Sequence, residues 1–381
     1  MIRRAAPASL SRARTASSCR RIISLCACII LLCTCIISWC ACTSAPPLAG
    51  VAWPQADALF HADPDWLGGD GAWSIDLGGG RALWLFGDSF IATSPARVRS
   101  QSVMVHTSIA VETGADPTAA TMKFAWGGTA AAPASFFADP PGDWYWPAAG
   151  ARLGAPVIVF LTHVTRSSGG GAFGFTNVGW NAALIADPDD PPAAWSVRYL
   201  DPPQNARSLF PGAAVLSSGG QLYAYAVGEP SHDLYLARWA ADAAAAGDLS
   251  SPEWWCGAAG WVAERDFSTA PAAVVRGAQT ELSVSSDGRG GFVMVHTVGF
   301  GAADLAYRTA PAVEGPWSEA RAFYHPPEGA KPNAFVYAGK AHPELAGAPI
   351  VATYASNSFD FASLVNDPSL YYPRFVKFAP P

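Results

Sequence analysis

The chain has 381 residues, of which 50% are hydrophobic and only 14% are charged, with a net charge of −6. This composition allows a large core, and it argues against a nucleic-acid partner because no basic run lies outside the N-terminal segment. The 15 Trp, 36 Gly and 32 Pro residues favour strands and tight turns over helices.

Residues 1–45 are predicted to be a hydrophobic leader. Six Arg and no acidic residue lie in 1–21, and 22–42 are apolar apart from three hydroxyl residues. That run is about 31 Å long as a helix, enough to cross a bilayer. Since the positive flank stays in the cytoplasm, we expect an extracytoplasmic domain that is secreted, periplasmic or membrane-anchored. Cleavage after Ala45, lipidation at Cys42 and a retained anchor all remain open.

Cysteine usage separates the leader from the rest of the chain. Seven of the eight cysteines lie in the leader, and Cys256 alone lies beyond it. An internal disulfide framework is therefore excluded in the following domain. The seven histidines have no metal-ligand spacing, so neither a metal nor another cofactor is predicted.

Residues 46–56 are predicted to be a linker, and 57–381 one β-propeller domain. Short strands form five clusters, at 71–112, 144–200, 212–240, 280–325 and 334–379, with glycine-rich turns at 78–80, 217–221 and 286–291. Only 238–246 is predicted to be helical. These features predict an all-β, five-bladed propeller, most simply a monomer, in which a strand within 52–60 closes the last blade. The glycine-rich stretch 167–175 is predicted to be a loop over the site.

Two acidic residues are the candidate catalytic pair. Asp70 opens the innermost strand of the first cluster, and Glu281 opens that of the fourth. Innermost strands line the central tunnel of a propeller, so we expect these carboxyl groups to face each other across its mouth. A glycosidase needs one protonated and one ionised carboxyl, and we assign Glu281 as the acid. The alternative to catalysis is a structural role for each residue: Asp70 as part of a turn, and Glu281 as an acid that is paired with another side chain.

Further side chains are candidates for the same site. Asp88 follows a strand and either tunes the pair or bonds backbone amides. Aromatic residues could stack on sugar rings or pack in the core, and basic residues could bind hydroxyl groups or close blades. These substrate-binding candidates are Trp144, Trp146, Trp180, Arg308, Lys340 and His342.

The order of several motifs resembles a bacterial domain-of-unknown-function family, number 4185. The motifs are GGDGAWSIDLGGGRALWLFGDSF, WYWP, QTELSV, YAGKAHPEL and YYPRFVKF, spread over 57–378. The resemblance implies a five-bladed propeller related to glycoside hydrolase families 43 and 32, with members in family 183 that act on D-arabinan. It also implies that Asp70 is the base or nucleophile and Glu281 the acid. The chain departs from that family at Ala148-Ala149-Gly150, where an acid often stands.

The functional prediction is an extracytoplasmic glycoside hydrolase-like protein acting on a furanoside polysaccharide such as arabinan, tethered to the membrane by its leader or a lipid. A non-catalytic sugar-binding propeller is the alternative. An esterase using Ser89 of the Gly-Asp-Ser-Phe segment is disfavoured, because Gly339 stands where an Asp should precede His342 by three residues and alternating helices are lacking. The glycine runs also lack the helix and Lys of a phosphate-binding loop.

Overall fold

The computed structural model describes residues 49–168, 173–205 and 207–380. The predicted leader, including Cys42, lies outside the described residues, as does the centre of the 167–175 loop. Among the helices that are described, none is both long and apolar enough to cross a membrane.

Five antiparallel sheets of four or five strands form the five-bladed propeller, which confirms the predicted fold class. The first strand of each blade is its inner strand. Each inner strand contacts the inner strand of the next blade, and the fifth contacts the first, so the ring is closed. Every blade therefore lends one strand to the wall of a central channel.

Alternating apolar residues and glycine turns define the strands. Blade 1 comprises Trp66–Gly78, Arg81–Ala92, Ser108–Thr113 and Thr121–Ala125, and Ser102–Val105 also pairs with its second strand. Blade 2 comprises Trp144–Arg152, Val157–Arg166, Phe175–Ile185 and Val197–Leu200. Blade 3 comprises Leu209–Ser218, Gln221–Gly228, Asp233–Ala240, Glu253–Trp255 and Trp261–Ala263. Blade 4 comprises Leu282–Ser286, Phe292–Val298, Asp304–Ala310 and Arg321–Tyr324. Blade 5 comprises Ala334–Ala341, Ile350–Ser358, Arg374–Phe378 and Val51–Ala52. Gly127–Thr129 and Ala132–Ala134 form a separate hairpin.

Within the described residues, helices are few and short. The α-helices are Pro54–Asp57, Ala241–Ala246 and Phe361–Asn366. The 3₁₀ turns are Ala58–His61, Arg99–Gln101, Pro192–Ala194, Gly257–Ala259, Glu264–Asp266 and Pro327–Ala330. The helix predicted over 238–246 begins only at Ala241, because the residues before it pair with the second strand of blade 3.

The last blade takes its outer strand from the N-terminal side of the domain. Val51 pairs with Lys377 and Ala52 with Val376. The strand predicted within 52–60 is much shorter than expected, because Pro54 occupies the first turn of a helix and has no N–H for a ladder.

The core lies between the blades. One hydrophobic cluster fills each of the five blade interfaces, with Trp84 and Phe160 among the fully buried side chains. Burying such a side chain stabilises the fold by about 2–3 kcal/mol. The sheets are therefore held face to face by large buried rings.

The two ends of the channel differ in what they carry. Inner strands begin at one end, here called the mouth, and antiparallel pairing returns the connections between second and third strands to it. The hairpins between first and second strands lie at the other end, here called the hairpin end. A cavity of about 900 Å³ occupies the channel there, and its lining runs from Trp73 and Lys340 to the hairpin glycines Gly78 and Gly154.

Candidate active site

A β-bulge interrupts the inner strand of four blades near the mouth. The pairing shifts register at Gly71–Ala72, Ala148–Ala149, Gly212–Ala213 and Ala338–Gly339. All of these residues are small because the inner strands approach closely there; a Cβ on Gly212 would lie 2.8 Å from that of Ala148. Ala148 and Ala149, which stand where family 4185 often has an acid, therefore belong to the blade 2 bulge.

The bulges change which side chains face the channel. In a regular strand, residues three apart point to opposite faces, and one extra residue brings them to the same face. Asp70 and Trp73 flank the bulge of blade 1, and Tyr337 and Lys340 flank that of blade 5. The Tyr337 hydroxyl donates to Asp70 Oδ2 at 2.6 Å, and Lys340 Nζ lies 4.0 Å from the Trp73 ring centroid. All four side chains thus meet around the channel.

Asp70 is held protonated by its surroundings. Its Oδ2 accepts hydrogen bonds from the hydroxyls of Tyr337 at 2.6 Å and Tyr371 at 3.3 Å. Burial, followed by the negative charges of Asp88 and Glu281, raises the pKa of Asp70 to about 8. Gly87 makes room for the group, since a Cβ there would collide with Asp70 Oδ1. At neutral pH this carboxyl can donate a proton.

Tyr371 reaches Asp70 from a strained backbone position. Its φ is +66°, a left-handed conformation that costs a non-glycine residue about 1–3 kcal/mol. Buried Arg99 holds the preceding segment by donating to the carbonyl groups of Leu364, Asp367 and Leu370. Gly68 permits the close approach, since a Cβ there would lie 2.5 Å from the Tyr371 carbonyl oxygen. Such maintained strain is typical of functional sites.

Glu281 is paired with a buried cation. Lys340 Nζ donates to Glu281 Oε2 at 2.7 Å, and the Lys340 side chain is only 1% exposed, whereas that of Glu281 is 21% exposed. Burial lowers the pKa of Lys340, while the charge of Glu281 opposes this. The ion pair stabilises Glu281 as a carboxylate that solvent can reach. Its contacts therefore do not favour the acid role that the sequence suggested.

Asp88 is the third carboxylate of the mouth. Its Oδ1 accepts hydrogen bonds from Trp146 Nε1 at 2.8 Å and from His106 Nδ1 at 3.0 Å. The His106 ring stacks on Trp144 with 5.0 Å between centroids. Burial would lower the pKa of His106, but the hydrogen bond and charge of Asp88 raise it above the usual value. Asp88 thus bonds Trp146 of blade 2 directly and meets Trp144 through the His106 ring.

Three sequence candidates lie away from this cluster. Trp180 packs in the core against Phe160 and Trp239, with centroids 5.6 and 6.2 Å away. Arg308 donates to His296 Nε2 at 3.3 Å and to the Ser318 carbonyl at 2.8 Å within blade 4.

His342 is 1% exposed and bonded to Ser74 at 2.6 Å and Thr353 at 2.8 Å. Burial and the charge of Lys340 lower its pKa to about 3. The structure therefore corrects the substrate-binding roles predicted for Trp180, Arg308 and His342: each is a structural side chain whose polar atoms or ring face the protein.

Sequence reasoning missed Trp73, His106, Tyr337 and Tyr371. A signal was present for two of them. In two inner strands, two small residues stand between two larger ones: Asp-Gly-Ala-Trp at 70–73 and Tyr-Ala-Gly-Lys at 337–340. Aligning these repeats would have placed Tyr337 level with Asp70 and Trp73 level with Lys340.

The mouth therefore combines a carboxyl with a raised pKa, a carboxyl paired with a lysine, and aromatic rings. This is the combination with which glycosidases protonate a leaving oxygen and stabilise or attack the anomeric carbon. In the described part of the chain, no three His, Cys, Asp or Glu side chains are grouped to hold a metal ion.

Several solved structures resemble this chain at low sequence identity. A Bacteroides ovatus protein described as a "putative hydrolase" is 17% identical, with a TM-score of 0.68 over 86% of this chain and 89% of that one. The catalytic domain of a GH62 α-L-arabinofuranosidase from Coprinopsis cinerea is 12% identical, with a TM-score of 0.41 over 87% and 94%. An exo-β-1,3-galactanase from Phanerochaete chrysosporium is 13% identical, with a TM-score of 0.43 over 81% and 59%.

No curated protein matches this chain. A family model does match, over residues 55–380, which is nearly the whole propeller. It is not the model of family 4185, which the motif order suggested. The chain belongs to the family described as domain of unknown function DUF5005.

Proposed function

We propose that this protein is a glycoside hydrolase that acts on a furanoside polysaccharide such as arabinan, with Asp70 and Glu281 as its carboxyl pair. The observation that carries the proposal is the meeting of a protonated Asp70 and a Lys340-paired Glu281 at the mouth. A furanoside polysaccharide is the substrate class predicted from the sequence, so arabinan is the first substrate to test.

The contacts favour roles opposite to those expected from the sequence. Asp70 would donate its proton to the glycosidic oxygen as the bond from that oxygen to the anomeric carbon breaks. Glu281 would either take a proton from the attacking water or attack the anomeric carbon itself. Lys340 donates a hydrogen bond to Glu281, and burial together with the negative charges of Asp88 and Glu281 favours the protonated form of Asp70. The exposed faces of Trp144 and Trp146 would carry the sugar ring.

A non-catalytic sugar-binding propeller is the second candidate. The observation in its favour is that Lys340 already engages one oxygen of Glu281 at 2.7 Å, which weakens this carboxylate as a base or nucleophile. The aromatic and hydroxyl groups at the mouth would serve a binding protein equally well.

We also propose that the propeller acts outside the cytoplasm, attached through its leader, where polysaccharides occur. Cell fractionation of the full-length protein tests this. The wild type should sediment with membranes if it is anchored or lipidated, and Cys42→Ser should release it only if Cys42 carries a lipid. Full-length protein free in the cytoplasm would contradict the proposal.

The decisive experiment is hydrolysis of arabinans and other furanosides by the wild type, Asp70→Asn and Glu281→Gln, with Ser217→Ala at the hairpin end as control. We expect each mouth variant to lose about 10²–10⁴-fold in kcat/KM, and the control to lose nothing. Activity of the wild type should fall as the pH rises through about 8, because Asp70 then loses its proton.

Full activity of both amide variants would refute the carboxyl pair. The sugar-binding alternative would be supported by a different result. In that case the wild type cleaves no glycan but binds arabinan, and Trp146→Ala abolishes the binding.

A further inference from the structure

Four phenylalanine rings gather at the mouth and form what we call the phenylalanine patch: Phe173, Phe300, Phe335 and Phe359. The Phe173 centroid lies 6.3, 5.9 and 6.0 Å from those of Phe300, Phe335 and Phe359, and Phe335 and Phe359 are 4.6 Å apart. Three of the four come from connections between second and third strands, in blades 2, 4 and 5. Rings from three blades thus converge on one side of the channel.

Three of the four rings in the patch are exposed to solvent, and only Phe335 is buried. Phe300 is 75% exposed, Phe173 50% and Phe359 43%. Phe300 stands between Gly299 and Gly301, both with positive φ, in a turn where polar residues are the usual choice. Clustered apolar rings left in water are typical of binding surfaces.

The patch is continuous with the carboxyl pair on two sides. Phe335 lies 5.3 Å from the ring of Tyr337, whose hydroxyl donates to Asp70. On the other side, Phe173 lies 6.3 Å from Phe175, which meets Trp146 edge-on at 4.6 Å. A ligand at Asp70 therefore has the patch as its neighbour.

The chemistry of the phenylalanine patch indicates which kind of group it binds. Phenylalanine has no hydrogen-bonding group, so a bare sugar pressed against several such rings would lose water from its hydroxyls without compensation. An aromatic group has no such cost and gains ring-to-ring contacts. The patch suits an aromatic substituent better than a further sugar.

We propose that the phenylalanine patch binds an aromatic group carried by the glycoside whose sugar ring lies at Asp70 and Glu281. The preferred ligand is then an arylated glycan, for example an aryl ester or an aryl glycoside, rather than an unsubstituted one. This inference rests on the proposed function, because that function places the sugar at the carboxyl pair.

Titration calorimetry with two uncleavable probes tests the inference: phenyl and methyl 1-thio-α-L-arabinofuranoside. We expect the wild type to bind the phenyl compound about tenfold more tightly than the methyl one. Phe300→Ala/Phe359→Ala should bring that ratio close to one. Phe361→Ala is the matched control, because this ring is 60% exposed but pairs with Phe90 outside the patch, and it should leave the ratio unchanged.

A ratio of one in the wild type, or a ratio that survives the double variant, would overturn the inference. If neither thioglycoside binds, the furanoside function fails and 4-nitrophenol alone becomes the probe. Binding of 4-nitrophenol to the wild type but not to the double variant would then support an aromatic site at the patch, and no binding to either would overturn it.

Discussion

The mouth and the hairpin end of the channel each hold a carboxyl group with a raised pKa, yet they are built differently. At the mouth, burial and two neighbouring carboxylates raise the pKa of Asp70 to about 8. At the hairpin end, burial raises that of Glu344 to about 7, and its hydrogen bond with Ser74 opposes the shift. A raised pKa alone therefore does not separate a reactive group from a buried one.

The charged partners make the difference. At the hairpin end, Arg81 and Arg152 both bind Asp189, whose side chain is 60% exposed, so the charges there form a solvated surface network. At the mouth, Glu281 of blade 4 pairs with the buried ammonium of Lys340 from blade 5, and burial together with the charges of Asp88 and Glu281 raises the pKa of Asp70. An excess of negative charge in a confined space keeps a proton available, whereas a balanced surface network does not.

The largest effect is expected from removing the buried cation. Lys340→Met leaves Glu281 without its counterion and should lower the free energy of unfolding by about 3 kcal/mol. Arg152→Met, which breaks the exposed pair at the hairpin end, should cost less than about 1 kcal/mol. Urea unfolding measures both. Adding Glu281→Gln to Lys340→Met should recover much of the loss, and equal costs for the two single variants would remove the distinction between the ends.

The pH dependence of stability is expected to be the next effect. The folded pKa of Asp70 is raised to about 8, so the folded state binds more protons than the unfolded one and stability falls as pH rises from about 4 to about 8. The same holds for Glu344 up to about pH 7. Asp70→Asn and Glu344→Gln should each raise stability at pH 9 by about 1 kcal/mol. Only the former should abolish activity; urea unfolding at pH 5, 7 and 9 with parallel assays tests this.

The smallest effect is expected from Tyr371→Phe, compared with Ser74→Ala at the hairpin end. Tyr371→Phe removes one hydrogen bond and should lower the free energy of unfolding by about 0.5–1 kcal/mol, whereas Ser74→Ala removes the bonds to His342 and Glu344 and should lower it by about 1–2 kcal/mol. Tyr371→Phe should also move the alkaline limb of activity to higher pH, because its hydroxyl lowers the pKa of Asp70. A pH–activity profile distinguishes the two variants. An unmoved limb in Tyr371→Phe would show that this hydroxyl does not act on the proton donor.

The blades could be predicted from the sequence because hairpin turns and apolar alternation are local. Asp70 and Glu281 were identified because each was expected where an inner strand begins; Glu281 directly precedes its strand, whereas the blade 1 strand already begins at Trp66. The sequence did not predict which face of a strand the side chains after a bulge occupy. A bulge interrupts the alternation, and a shift of one residue turns a side chain to the other face. His342 lies just beyond the end of its strand at Ala341, where its ring is buried against Ser74 and Thr353. Tyr371 was missed because its place depends on Arg99 and Gly68, which are distant in sequence.

The pairing of Val51–Ala52 with the last strand has a consequence for how the ring can be opened. Both ends of the propeller lie side by side in blade 5, so a short linker could join them. New ends could then be cut in the hairpin between Ser286 and Phe292, which is exposed at the end of the channel remote from Asp70. Such a circular permutant would keep every strand neighbour, and we expect it to fold with its mouth unchanged. The fold therefore requires the blades to follow one another in a fixed order, but it does not require the chain to start at a particular blade.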